Sequence, residues 1–256
     1  MKTPISDFLD EYGRKEMLRL HMPGHNGENL RDITEIEGAD SLYETEYSGG
    51  VIAQSEAIAA RIFGAERTCY SAGGSTLAIQ AALALLKSQG CRKIAAGRCS
   101  HRSLVSAAAL LDLDILWLYP KEYPTAAVDC SGQALEGADA LFLTNIDYYG
   151  GTCRAENPGI PVVCDNAHGA YLRFVSKAAF GRDYLHPMEF GYPVISAESA
   201  HKTLPALTGA AYLHFSKGTE HSRAKEMMAL FGSSSPSYLI LDSLDKFNDR
   251  IATDID

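Results

Sequence analysis

The chain has 256 residues, 46% of them hydrophobic, which suits one large domain with a substantial buried core better than two complete ones. Its 32 acidic and 23 basic side chains leave a formal charge of -9, which argues against a nucleic-acid partner and offers no basic arm for an anionic membrane surface. Cysteines at 69, 91, 99, 130, 153 and 164 form no CxxC pair and no metal-ligand cluster with the histidines, so reduced thiols and no metal site are expected.

The opening stretch MKTPISDFLDEYGRKEM meets Asp7, Asp10 and Glu11 before any apolar run, so the sequence predicts no leader and a cytoplasmic protein. A helix is expected around Ile5 to Leu18, followed by the loop LHMPGHNG, in which Pro23, Gly24 and Gly27 break any regular pattern. Helical spacing returns in IAQSEAIAARIFG and TLAIQAALALLKSQG, with Gly64 and Gly90 placed as C-terminal caps, and ERTCYSA between them reads as a strand. Next come strand-like RKIAAG, helix-like HRSLVSAAALLD, and strand-like DILWLYP, ADALFLTN, IPVVCD and YPVISA. The most apolar stretch, Ser106 to Leu118, is interrupted by Asp112 and Asp114 and falls short of the ~20 apolar residues a membrane helix needs. PVISA and GAAYLHF form a hairpin-like pair around SAHK, and helical stretches around Gly218 to Phe231 and Ser237 to Ile251 follow. This alternation implies a three-layer α/β/α fold around a mostly parallel sheet, where ligands sit beyond the carboxyl ends of the strands.

Four strand-end loops hold unusual polar residues: SAGGST at 71–76, GRCSHRS at 97–103, CDNAHGA at 164–170 and SAESAHKT at 196–203. In the first, Gly73 and Gly74 let the backbone approach a phosphate, while Ser75, Thr76 and the following amides bind it at the positive end of a helix; a simple N-cap at Ser75 is the alternative. Asp165 ends an apolar strand, where a carboxylate needs a partner; a pyridinium nitrogen would supply one, and a solvated loop position is the alternative. Lys202 lies between apolar segments. Near a bound cofactor a desolvated lysine condenses with an aldehyde, although a surface position is the common fate of lysine.

Taken in order, LHMPGHNG, DITEIEGADSLYE, GGSTLAIQAAL, CDNAHGA and SAHKTLPALTGAAYLHF resemble the Orn/Lys/Arg decarboxylase family along nearly the whole chain, with SAHKTLPALT the most specific element. The resemblance implies the large domain of a fold-type-I, pyridoxal-phosphate-dependent transferase with a seven-stranded, mostly parallel sheet. It further implies decarboxylation of arginine, lysine or ornithine to a polyamine-type amine. Lys202 would carry pyridoxal 5'-phosphate as a Schiff base, Asp165 would pair with the pyridine nitrogen, and His101 would stack on the ring. Gly74, Ser75, Thr76, Ser199 and His201 would bind phosphate, Ala167 and His168 would pack beside the ring, and Lys202 or His201 would reprotonate the product carbon. His21 and His25 would stand on the substrate side, and Ser234 near the partner's cofactor phosphate in a homodimer.

The chain departs from the family pattern in having Asn166 where Glu is usual and Gly73 where Asn is common. It also ends soon after SSSPSYLILDSLDKF, so residues 1–256 read as the cofactor-binding large domain, with an N-terminal arm of about 1–50 and without the usual C-terminal domain. Because the cofactor apparatus alone does not choose which bond breaks, transamination or β-elimination stays open beside decarboxylation. So does a shortened, non-catalytic homologue with a binding or regulatory role.

Overall fold

The computed structural model describes residues 2–15, 24, 50–120, 127–153, 155–175 and 184–255; His21, His25 and the DITEIEGADSLYE segment lie outside them. In chain order the elements are α1 (Pro4–Arg14), α2 (Val51–Phe63), β1 (Arg67–Ser71), α3 (Gly74–Ser88), β2 (Lys93–Gly97), α4 (Arg102–Leu111), β3 (Asp114–Leu118), β4 (Ala140–Thr144), β5 (Val162–Asp165), β6 (Ile195–Glu198), α5 (Ala200–Thr203), β7 (Ala211–Phe215), α6 (Ala224–Ala229) and α7 (Tyr238–Ile255).

The strands form a seven-stranded sheet in the order β1-β7-β6-β5-β4-β2-β3. Strand β7 runs antiparallel to both its neighbours, and the remaining pairings are parallel, as the alternating sequence requires. Strands β4 to β7 are buried almost throughout, the condition under which a strand reads as an apolar run and not as an alternation. Helix α3 is apolar nearly all round because it is enclosed: it packs on β5, β6 and β7 and against α4 and α6. The opposite face of β1 and β7, carrying Tyr70, Tyr212 and His214, meets Phe63 of α2, whose ring centroid is 5.1 Å from that of Tyr212 and 4.4 Å from that of His214.

Local stops explain the helix boundaries. Gly64 closes α2 in the left-handed conformation, φ 73°, and returns its N–H to the carbonyls of Ala60 and Arg61. Helix α6 starts at Ala224 and not near Gly218, because Gly218 takes φ 86° and the Thr219 hydroxyl turns back onto the carbonyl of Ser216. Lys202 lies on the single helical turn α5, where the sequence suggested only a connection between strands.

The two ends of the described chain are tied through carboxylates of α7: the Ser6 hydroxyl donates to Asp242, and Asp245 does more. Asp245 of α7 accepts the amides of Ile5 and Ser6, each at 3.1 Å, at the start of α1, where the helix dipole favours a negative charge. Its other oxygen accepts the Ser55 hydroxyl, which in turn meets the Tyr70 hydroxyl at 2.7 Å, and Asn248 joins Tyr70 to Tyr212. Beside this network the buried Lys225 and Glu56 pair at 2.5 Å, joining α6 to α2. Replacing Asp245 with Ala leaves two buried amides unpaired and takes the acceptor from the Ser55 hydroxyl, and chemical denaturation should show a loss of about 2–4 kcal/mol. A change within 0.5 kcal/mol or so, the range of a neutral surface substitution, would remove this residue from the account of how α1 is held.

Candidate functional site

The carboxyl ends of β1, β2, β4, β5 and β6 open on one edge of the sheet, and the sequence-predicted residues gather there. Ser71 shapes the first loop: its hydroxyl donates to the carbonyl of Gly74 at 2.9 Å and accepts the amide of Gly73 at 3.2 Å. Gly74 begins α3 at φ 70°, a conformation that strains any residue with a Cβ. The cap position falls on Gly73, which has no side chain to offer, so Ser75 is not the N-cap and no side chain accepts from the first-turn amides of α3. Ser75 instead accepts the hydroxyl of buried Ser199 at 2.8 Å, which joins this loop to the one after β6. Thr76 stands exposed beside it.

Asp165 is 5% exposed at the end of β5, and its carboxylate accepts the amide of Ala167 at 3.1 Å. Burial raises its pKa; the Ala167 amide and the charges of His101, Lys202 and His168 pull in the other direction. Those three side chains are thus the ones whose charges reach Asp165. Lys202 Nζ lies 3.3 Å from His168 Nε2. The pKa of His168 is depressed, first by its own burial and then by Lys202. His101 caps α4, with Nδ1 accepting the amide of Ser103 at 3.2 Å, so its imidazole serves as a helix start at the carboxyl end of β2. His201 is held by its own chain, its Nδ1 3.1 Å from the carbonyl of Ala210. Ser234 is exposed in the turn between α6 and α7, and His21 and His25 lie outside the described residues.

Sequence reading missed two parts of this edge. One is a cleft of about 630 Å³ lined by Arg98, Cys99, Tyr119, Asp147, Tyr148 and Tyr149; the Tyr148 ring stands edge-on to His168 with centroids 5.9 Å apart, so cleft and site share a wall. The other is a buried polar cluster behind the loops. Asp165 is in register with Ala197, so Glu198, one residue on, faces the opposite side of the sheet. There the fully buried carboxylate accepts Asn166 Nδ2 at 3.0 Å and the Ser196 hydroxyl at 2.9 Å, with His186 Nε2 at 2.8 Å and His214 Nε2 at 3.7 Å. Asn166 Oδ1 accepts Asn145 Nδ2 at 2.9 Å, so the cluster spans the ends of β4, β5 and β6. An acid closing an apolar strand was the available signal, the same one that singled out Asp165.

Burial alone would raise the pKa of Glu198, but the two imidazoles and the hydrogen bonds to the carboxylate outweigh it and hold it well below the usual range. His214 is pushed down to about 4 by burial, against the pull of Glu198. Between pH 6.5 and 4 the unfolded chain therefore takes up a proton that folded His214 refuses, so this stability is present above pH 6.5 and lost as the pH falls. Unfolding free energy should fall over that window by about 3 kcal/mol from this one group, and His214→Gln should flatten that part of the profile. An unchanged slope in the variant would show that the imidazole is not responsible.

Residues 141–254 match the family model described as Orn/Lys/Arg decarboxylase, major domain. The chain is 28% identical over 277 residues to the uncharacterised protein YaaO of Bacillus subtilis, covering 96% of this chain and 56% of that one. It is 27% identical to the arginine decarboxylase of the same organism, over 99% of this chain and 56% of the relative, so it spans about half the length of the curated relatives it matches. Its fold is similar to part of lysine decarboxylase A from Pseudomonas aeruginosa, with TM-score 0.76, 20% identity and coverage of 97% of this chain and 40% of that one. The constitutive lysine decarboxylase of Escherichia coli aligns with TM-score 0.75 at 17% identity, over 96% and 40% of the two chains.

Proposed function

We propose that this chain, which resembles the pyridoxal-phosphate-dependent Orn/Lys/Arg decarboxylases, decarboxylates a basic amino acid to a polyamine-type amine, with Lys202 as the cofactor-bearing lysine. The observation that carries this reading is a buried Asp165 at the carboxyl edge of the sheet, on the same edge as Lys202 and His168, which lie 3.3 Å apart. The residues suit the cofactor. Asp165 is a buried carboxylate without a full countercharge, which a protonated pyridine nitrogen would supply, and the uncapped first turn of α3 beside Ser75 and Ser199 offers amides and hydroxyls to a phosphate.

Pyridoxal phosphate, when bound, supplies an electron sink for the pair left by the departing carboxyl group. The protein's own part is to hold and to protonate. Lys202 would hold the cofactor aldehyde covalently, and His168, 3.3 Å from its Nζ, would orient that amine. Asp165 would keep the ring nitrogen protonated, His101 would cover one face of the ring, and Ala167 would pack beside it. Gly74, Ser75, Thr76, Ser199 and His201 would hold the phosphate. Lys202 or His201 would return a proton to the product carbon. The cleft walled by Tyr148 leaves room for an amino acid side chain beside His168.

Among the described residues no helix is long and apolar enough to cross a membrane; a cytoplasmic location is part of the proposal. A homodimer, with Ser234 facing the partner's site, is part of the same proposal.

Borohydride reduction of the cofactor-loaded protein followed by peptide mapping should place the adduct on Lys202; an adduct on another lysine would overturn the assignment. Asp165→Asn should keep its fold while losing on the order of 100-fold or more in decarboxylation of arginine, lysine or ornithine, because an amide cannot balance a charged ring nitrogen. Product analysis by mass spectrometry in the same assay separates loss of carbon dioxide from amino transfer, and turnover close to wild type in the variant contradicts the role given to Asp165.

A further inference from the structure

We propose that Cys130 and Cys153 form an oxidisable dithiol, a modification site that closes to an intrachain disulfide on exchange with a low-molecular-weight disulfide. Cys130 lies half-buried in the connection between β3 and β4, and Cys153 lies 3% exposed after the turn that follows β4. Both sulfurs point at one oxygen: the carbonyl of Val128 is 3.7 Å from Cys130 Sγ and 3.9 Å from Cys153 Sγ. Two thiols sharing one acceptor stand side by side, and they also hydrogen-bond one another. No other pair of described cysteines shares an acceptor; Cys69 and Cys164 are buried inside strands, and Cys99 faces the cleft.

The chemistry of the pair follows from its shared proton. Donation from Cys130 holds the Cys153 thiol down at about 7 against its burial, and pushes Cys130 up in return. Cys130 is the more exposed of the two, so a small disulfide reaches its sulfur first, and its thiolate fraction is the nucleophile. That thiolate attacks one sulfur of the small disulfide and releases one small thiol, leaving a mixed disulfide. Cys153, deprotonated in turn, attacks the Cys130 sulfur, forms the Cys130–Cys153 bond and releases the second thiol. Two protein thiols are oxidised, one small disulfide is reduced, and the two protons end on the two small thiols.

The position gives the bond a consequence. Cys153 closes the turn at its base, where its amide donates to the carbonyl of Asn145 at 3.0 Å and Ile146 bridges Thr152. The tip of that turn carries Asp147, Tyr148 and Tyr149, the wall of the cleft beside His168. A disulfide would staple the base of this wall to the Val128–Ser131 segment.

The test uses the full chain, reduced, then incubated with oxidised glutathione under native conditions, quenched with N-ethylmaleimide after unfolding and weighed intact. The expected product has lost two hydrogens, and its digest contains one cross-linked peptide pair joining Cys130 to Cys153. Cys130→Ser should abolish the loss, and Cys153→Ser should trap glutathione on Cys130. The wild-type map decides the matter even where Cys153→Ser does not fold. A stable glutathione adduct on wild-type Cys130, a bond to any other cysteine, full alkylation of both residues, or loss of two hydrogens in either variant would overturn the proposal.

Discussion

Glu198 has no solvent contact, yet the protein keeps it ionised, and the geometry of the candidate site rests on how that is done. An isolated carboxylate in such a place would be expensive; the amide of Asn166 and the hydroxyl of Ser196 donate to it and offset that cost, with the imidazoles of His186 and His214 packed around it. Each of these partners belongs to a loop or strand that must then stay in position. Asn166 directly follows Asp165, and Glu198 directly precedes the Ser199 to Lys202 segment, so the charge buried behind the sheet fixes the two loops that present Asp165 and Lys202 in front of it.

The pleat makes this division possible. Successive residues of a strand face opposite sides, so neighbouring strand ends can devote one residue to chemistry and the next to anchoring. Asp165 and Asn166 divide the work on β5, and Glu198 with Ser199 divides it on β6. The Ser75–Ser199 hydrogen bond, between residues 124 apart in sequence, then joins the helix α3 loop to the same frame as the buried acid and the lysine. Preorganisation of this kind keeps a site from relaxing around a charge as that charge moves during a reaction.

Much of this was legible in the residues. The strands, their mostly parallel arrangement, the hairpin around SAHK and the left-handed stop at Gly64 follow from apolar runs, turn residues and the missing Cβ of glycine, all of which act over a few neighbouring positions. The loops that hold Ser75, His101, Asp165 and Lys202 could be picked out because polar residues at the ends of buried strands need a reason to be there. The order of the strands, the face each residue takes and the partners of Glu198 could not, since they depend on register and on contacts between distant segments. The cap at Gly73 in place of Ser75, and the single turn α5 under Lys202, also belong to that second group. By itself the sequence determined which short segments become strands and helices and which strand-end loops carry unusual polar residues. Only the tertiary structure decided that His186 and His214 stand around Glu198 and that Cys130 and Cys153 share one carbonyl, because burial and hydrogen-bond pairing are settled by what the folded chain brings together and not by spacing along it.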